Sequence, residues 1–146
     1  MDRLRRLFST TGRESRLAFW RFQLRQQLAG TAAFYLAIII AMAGGGWLAA
    51  APLLLLAPIA VAGACFYVRR LHDRGRPTWW FIVFFVVPYL LDIAAHVLAN
   101  QESNLFTVLV TLPVALGAFV LMIWGWVEVG FRRGARGENA FGPEPA

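Results

Sequence analysis

Lysine is absent from this 146-residue chain, so all 14 basic side chains are guanidiniums. Reactive groups are equally scarce, with one cysteine and two histidines. The lone Cys65 excludes an intramolecular disulfide and offers no metal-ligand spacing. Inside an apolar run it reads as a small buried hydrophobe. Charge is missing over long stretches as well. No charged side chain occurs between Leu28 and Val68, and between Pro77 and Phe131 only Asp92, Glu102 and Glu128 carry one. These gaps exclude an ordinary soluble domain. The hydrophobic fraction of 59% exceeds the roughly 45–50% of soluble proteins, and mean hydropathy is +0.58.

What is present is arginine, in three clusters. Seven lie between residues 3 and 25, four between 69 and 76, and three between 132 and 136. A net charge of +6 with a pI near 11 would suggest nucleic acid for a soluble protein. Here the arginines flank apolar runs instead of covering one folded face, which argues against nucleic acid as a partner. The basic N-terminal region is too long, and the apolar stretch after it too extended, for a cleavable signal peptide.

As helix, residues 28–68 would reach about 60 Å at 1.5 Å per residue, twice the roughly 30 Å hydrocarbon layer. The run therefore predicts two helices, at 23–43 and 48–68, broken at Gly44-Gly45-Gly46. Pro52 suits an opening turn, whereas Pro58 is expected to bend the second helix. A third span at 79–99 opens on Trp79-Trp80, an aromatic pair suited to headgroup depth, and a fourth covers 105–127 beyond the polar turn that contains Glu102. Pro88 and Pro113 fall inside these spans, where neighbouring helices can cover freed carbonyls. The expected architecture is one all-α membrane domain over residues 1–146, a four-helix bundle. Segments 1–22, 69–78 and 131–146 then lie together on the side that holds every arginine, and the positive-inside rule makes that side, with both termini, cytoplasmic.

Before the first span, Gly12-Arg13-x-Ser15-Arg16-x-x-Phe19-Trp20 mixes basic and aromatic residues, as a membrane-surface anchor does. It also resembles the opening signature of the domain of unknown function 805 family, the YhaH-like small bacterial inner-membrane proteins. Arg69-Arg70-Leu71-His72-Asp73-Arg74-Gly75-Arg76-Pro77-Thr78-Trp79-Trp80 is similar to that family's central segment, with Pro77-Thr78 in place of Ser-Gly. Gly137-Glu138-Asn139-Ala140-Phe141-Gly142-Pro143-Glu144-Pro145 resembles its ending, with Phe141 where a tyrosine is usual. The resemblance implies a helical inner-membrane protein and no defined activity.

Chemistry is concentrated in the stretch from Arg69 to Arg76. Guanidiniums recognise phosphate or carboxylate through paired hydrogen bonds, so it can grip an anionic headgroup or a soluble anion. Asp73 can instead orient Arg70 or an arginine of the N-terminal segment, and the loop can simply be a solvated topology signal. No nucleophile or glycine-rich phosphate loop accompanies His72-Asp73, which argues against catalysis. Asp92 and His96, four residues apart, share one face of the third helix. A charged Asp at a helix centre costs about 2.5–3.5 kcal/mol on the insertion scale. Asp92 is therefore expected to face the bundle interior or be protonated, sharing a hydrogen bond with His96 as a helix–helix clamp. The sharper reading is a proton or cation path. Glu128, four residues before Arg132, reads as an interfacial ion pair of small worth.

Together these features favour a non-enzymatic bacterial inner-membrane (plasma-membrane) protein without cofactor or metal, binding anionic lipid headgroups or an acidic partner. Arg13, Arg16, Arg69, Arg70 and His72 would contact the anion, Asp73 and Asn139 would hold them, and the tail would fold back over that face. The alternative is a small transporter or channel, homo-oligomeric, built on Asp92 and His96.

Overall fold

A computed structural model describes residues 2–101 and 104–145, so Glu102 and its turn lie partly outside the described residues. After a short helix α1 (Asp2–Leu7) come four helices long and apolar enough to cross a membrane. They are α2 (Arg16–Met42), α3 (Gly46–Asp73), α4 (Trp79–Asn100) and α5 (Leu105–Phe131). Ser15 caps α2, its hydroxyl accepting from Ala18 N, and Asn104 caps α5 by accepting from Thr107 N at 2.9 Å. The expected glycine break is present. Gly44 and Gly46 turn the chain at φ +81° and +50°, values open to glycine without steric cost.

The helices outrun the apolar segments that announce them. Hydropathy places α2 from residue 23 and ends α3 at 68, yet α2 begins at Arg16 and α3 continues to Asp73. At 27 residues, α2 is about 40 Å long, so it projects past a bilayer core. The segment expected as a loop over 69–78 is thus helical through Asp73, and only residues 74–78 turn.

Proline placement accounts for the irregularities. Pro58 cannot donate to the Leu54 carbonyl, and α3 is interrupted at Leu55 one turn earlier. Pro88 follows a π-helical turn at Ile82–Val86, whose wider spacing accommodates a ring that would crowd the Phe84 carbonyl. Pro113 sits in α5 without breaking it.

Packing divides the helices into two hairpins. Helices α2 and α3 pair closely where Gly63 leaves space for the Gln26 side chain, and α4 pairs with α5 where Gly125 lies against Phe84. Beyond the arginine-rich end, Val87–Gln101 and Leu105–Trp126 make no close backbone contact with α2 or with Leu56–Asp73 among the described residues. The core of Phe19, Phe66, Leu71, Phe84 and Val129 therefore sits at one end. The remaining apolar surface faces outward, as lipid-facing helices require.

Candidate functional site

The arginine-rich end poses a backbone problem. Helices α3 and α5 both terminate there, leaving carbonyls without intrahelical partners and the negative ends of two macrodipoles side by side. Buried Arg70 and several less buried side chains answer this problem. Arg70 donates from Nε to Val129 O at 2.8 Å and from a terminal nitrogen to Arg132 O. Arg74 reaches Arg133 O, and Arg16 contacts Phe131 O at 3.4 Å. Trp20 donates its indole N–H to Gly130 O at 2.9 Å. On α3, His72 O accepts from Asn139 Nδ2 at 3.0 Å, and Asp73 O accepts from Ala135 N at 2.8 Å. A guanidinium has five donors in a planar fork, so one side chain can satisfy a carboxylate and two carbonyls at once. An ammonium is a point donor without that reach.

Asp73 is the hub. One carboxylate oxygen accepts from Arg13 Nε and a terminal nitrogen at 3.0 and 2.8 Å, and the other accepts from Arg70. Arg13 extends its remaining donors to Ala135 O, Gly137 O and Gly142 O in the tail. The side chains of Arg13 and Arg70 are 1% exposed and that of Asp73 is 3% exposed, so this cluster excludes solvent. Gly134 is obligatory beside it, because a Cβ there would collide with the Asp73 carboxylate.

Two more carboxylates complete the assembly. Glu14 accepts from Arg69 Nε at 3.0 Å, while Arg69 also caps the Arg6 and Ser9 carbonyls and lies 4.4 Å above the Phe66 ring. Glu128 has no exposed surface and accepts from Arg74, Arg76 and Arg132 at 3.3, 2.9 and 2.7 Å. Sequence reasoning assigned Glu128 only Arg132 and little weight; its other partners belong to the α3–α4 turn. Glu14 was likewise missed.

His72 is held on every side. Its Nδ1 faces Gly12 O at 3.2 Å and its Nε2 faces Thr78 Oγ1 at 3.1 Å. A carbonyl can only accept, so Nδ1 carries the proton and Nε2 accepts from the hydroxyl. The Phe141 ring stacks on the imidazole at 4.0 Å and 4°. Phe141 thus contributes its ring face, a contact that needs no hydroxyl. Asn139 shapes the tail turn by accepting from Phe141 N at 2.9 Å. The tail does fold back over this end.

The structure therefore gathers Arg13, Arg69, Arg70, His72, Asp73 and Asn139, as expected, but turns them inward. Arg13, Arg69 and Arg70 are buried with their donors on protein oxygens, which corrects their assignment as free anion ligands. Arg16 alone of the proposed donors is exposed. Exposed arginines without an ion-pair partner among the described residues are Arg5, Arg6, Arg16, Arg21, Arg25, Arg133 and Arg136. Arg6, Arg21 and Arg25 rim a groove of about 380 Å³ whose floor includes Leu7, Phe22 and Phe66.

Asp92 and His96 are far from this assembly. They share a face of α4, as their spacing requires, but that face is exposed and no hydrogen bond joins them. The interior clamp expected of them is absent. Among the described residues no three His, Cys, Asp or Glu side chains converge as metal ligands.

A family model described as protein of unknown function (DUF805) matches residues 7–143. No curated protein and no solved structure matches the chain.

Proposed function

The chain belongs to the DUF805 family, which defines no activity, and we propose that it is a non-enzymatic bacterial inner-membrane protein whose exposed arginines bind anionic lipid headgroups. One observation carries this reading. Three carboxylates, Glu14, Asp73 and Glu128, absorb Arg13, Arg69, Arg70, Arg74, Arg76 and Arg132, which leaves a separate set of guanidiniums facing outward.

The groove beside α2 supports it further. Arg21 and Arg25, one turn apart, present two cations just before the uncharged run begins at Leu28. That is the depth of phosphate groups if the run spans the hydrocarbon. The apolar floor of Phe22 and Phe66 accommodates the first carbons of an acyl chain beneath them. Positive-inside orientation makes this the cytoplasmic leaflet, and a C-terminal fusion should report a cytoplasmic location.

Native mass spectrometry from mild detergent tests the reading. Arg21→Gln with Arg25→Gln should lose co-purified acidic lipid while keeping its melting temperature. Each near-surface charge contributes about 1 kcal/mol, so the pair should weaken binding roughly thirtyfold. Arg69→Gln with Arg70→Gln should instead unfold the arginine-rich end. Wild-type acidic lipid retained by the Arg21/Arg25 variant would overturn the headgroup role.

A further inference from the structure

Where the two hairpins separate, a cleft of about 340 Å³ runs along the α4–α5 hairpin and meets α3 at Tyr67. Tyr67 of α3 forms one wall, Phe85 and Asp92 of α4 another, and Phe119, Met122 and Trp126 of α5 the third. Tyr67 closes the arginine-rich end of the cleft, its ring centroid 4.5 Å from Phe85 and 5.9 Å from Trp126. Toward the opposite end no close backbone contact bridges the hairpins among the described residues, so the cleft is open laterally.

Asp92 follows Trp79 by 13 residues (92 − 79), about 20 Å of helix. With Trp79 at the headgroups, its carboxylate stands within the hydrocarbon layer. It has no hydrogen-bond or ion-pair partner among the described residues, His96 included. An ionised intramembrane carboxylate in that state is costly, and a membrane-embedded chain meets that cost by protonation or with a counter-group.

We propose that this cleft binds a lipophilic monocation that enters sideways from the bilayer, with Asp92 as its counter-charge. Charge complementarity selects the class: a cation neutralises the single acid on these walls, a neutral molecule leaves it bare, and an anion is repelled. The walls agree. Phe85, Phe119, Tyr67 and Trp126 present aromatic surface, whose negative faces attract cations when water is excluded. A hydrophilic cation would lose its hydration there without recompense, so the charge must be carried on an apolar body. The volume lies at the low end of the roughly 300–1,000 Å³ typical of small-molecule sites, which suits one compact ligand.

Separate calorimetric titrations of the purified protein in mild detergent test this, using tetraphenylphosphonium and its anionic counterpart of like shape, tetraphenylborate. Saturable binding of the cation alone is expected. Asp92→Asn should weaken it at least tenfold, and Asp92→Glu should retain it. If Asp92→Asn fails to fold, Met122→Trp fills the cleft from the opposite wall with Asp92 in place, and should abolish binding. Equal binding of both ions, no saturable binding, or wild-type affinity in Asp92→Asn overturns the proposal. So does native mass spectrometry showing a dimer that Asp92→Asn dissociates, without cation uptake, since a second copy then covers the cleft.

Discussion

Leu71, Phe84 and Val129 at the arginine-rich end have no exposed surface, whereas Met42, Trp47 and Leu105 at the opposite end are 85%, 83% and 74% exposed. The two ends obey different solvents. At the first, helix termini leave the lipid, and carbonyls, carboxylates and guanidiniums must all find partners in a small volume. At the second, side chains as apolar as lipid tails gain little from meeting one another, so the hairpins diverge without penalty. Cohesion in this protein is concentrated at one end, where a small apolar core and a polar network coincide, and the apolar surface beyond it is largely for lipid.

The sharpest way to break this comparison is Asp73→Asn. Removing the charge leaves Arg13 and Arg70 buried without a counter-ion, and breaking a buried pair from one side costs about 3–5 kcal/mol. Thermal melting in detergent should fall by that equivalent. A wild-type melting curve would mean that the polar end does not hold the hairpins together. Glu128→Gln comes next. Its partners Arg74, Arg76 and Arg132 are 21%, 27% and 53% exposed and can recover hydration, so a loss of about 1.5–3 kcal/mol is expected.

Phe141→Ala should do less. It removes one stacked pair, worth about 0.5–1.5 kcal/mol, and should show mainly as faster proteolysis of the tail after Arg136. An unchanged cleavage rate would mean that the His72 stack does not anchor the tail. Smallest of all, Asp92→Asn should leave melting within about 0.5 kcal/mol, because the carboxylate has no partner to lose. A large drop there would show that the hairpins are coupled at the open end after all.

Much of the site was readable in part. Asp73 was recognisable as an orienting acid for Arg70 or an N-terminal arginine, and it binds both at once. The folding back of the tail followed from its glycine and proline content. Which arginines would be consumed was not readable, since Arg69, Arg70, Arg74 and Arg76 have similar local surroundings in the chain. Their fates diverge from buried to partly exposed because Arg69 and Arg70 lie on α3, which continues as helix to Asp73, whereas Arg74 and Arg76 fall in the turn that follows it. That Asp92 lines an open cleft without meeting His96 escaped for a related reason. Spacing places it on a face with His96, but the face's direction depends on how α4 rolls against α5.

By itself the sequence determined the number of membrane-length helices, the glycine break between the first two, and the gathering of every arginine at one end. Those properties depend on runs of neighbouring residues, where hydrophobicity adds locally and length is compared with a fixed thickness. Only the tertiary structure decided that Arg13 binds Asp73 across 60 positions and that Arg76 binds Glu128 across 52. It also decided that, among the described residues, the guanidiniums of Arg5, Arg6, Arg16, Arg21, Arg25, Arg133 and Arg136 remain outside such pairs. A guanidinium's partner is set by which helix ends meet in space, and nothing within a few residues of an arginine encodes that meeting.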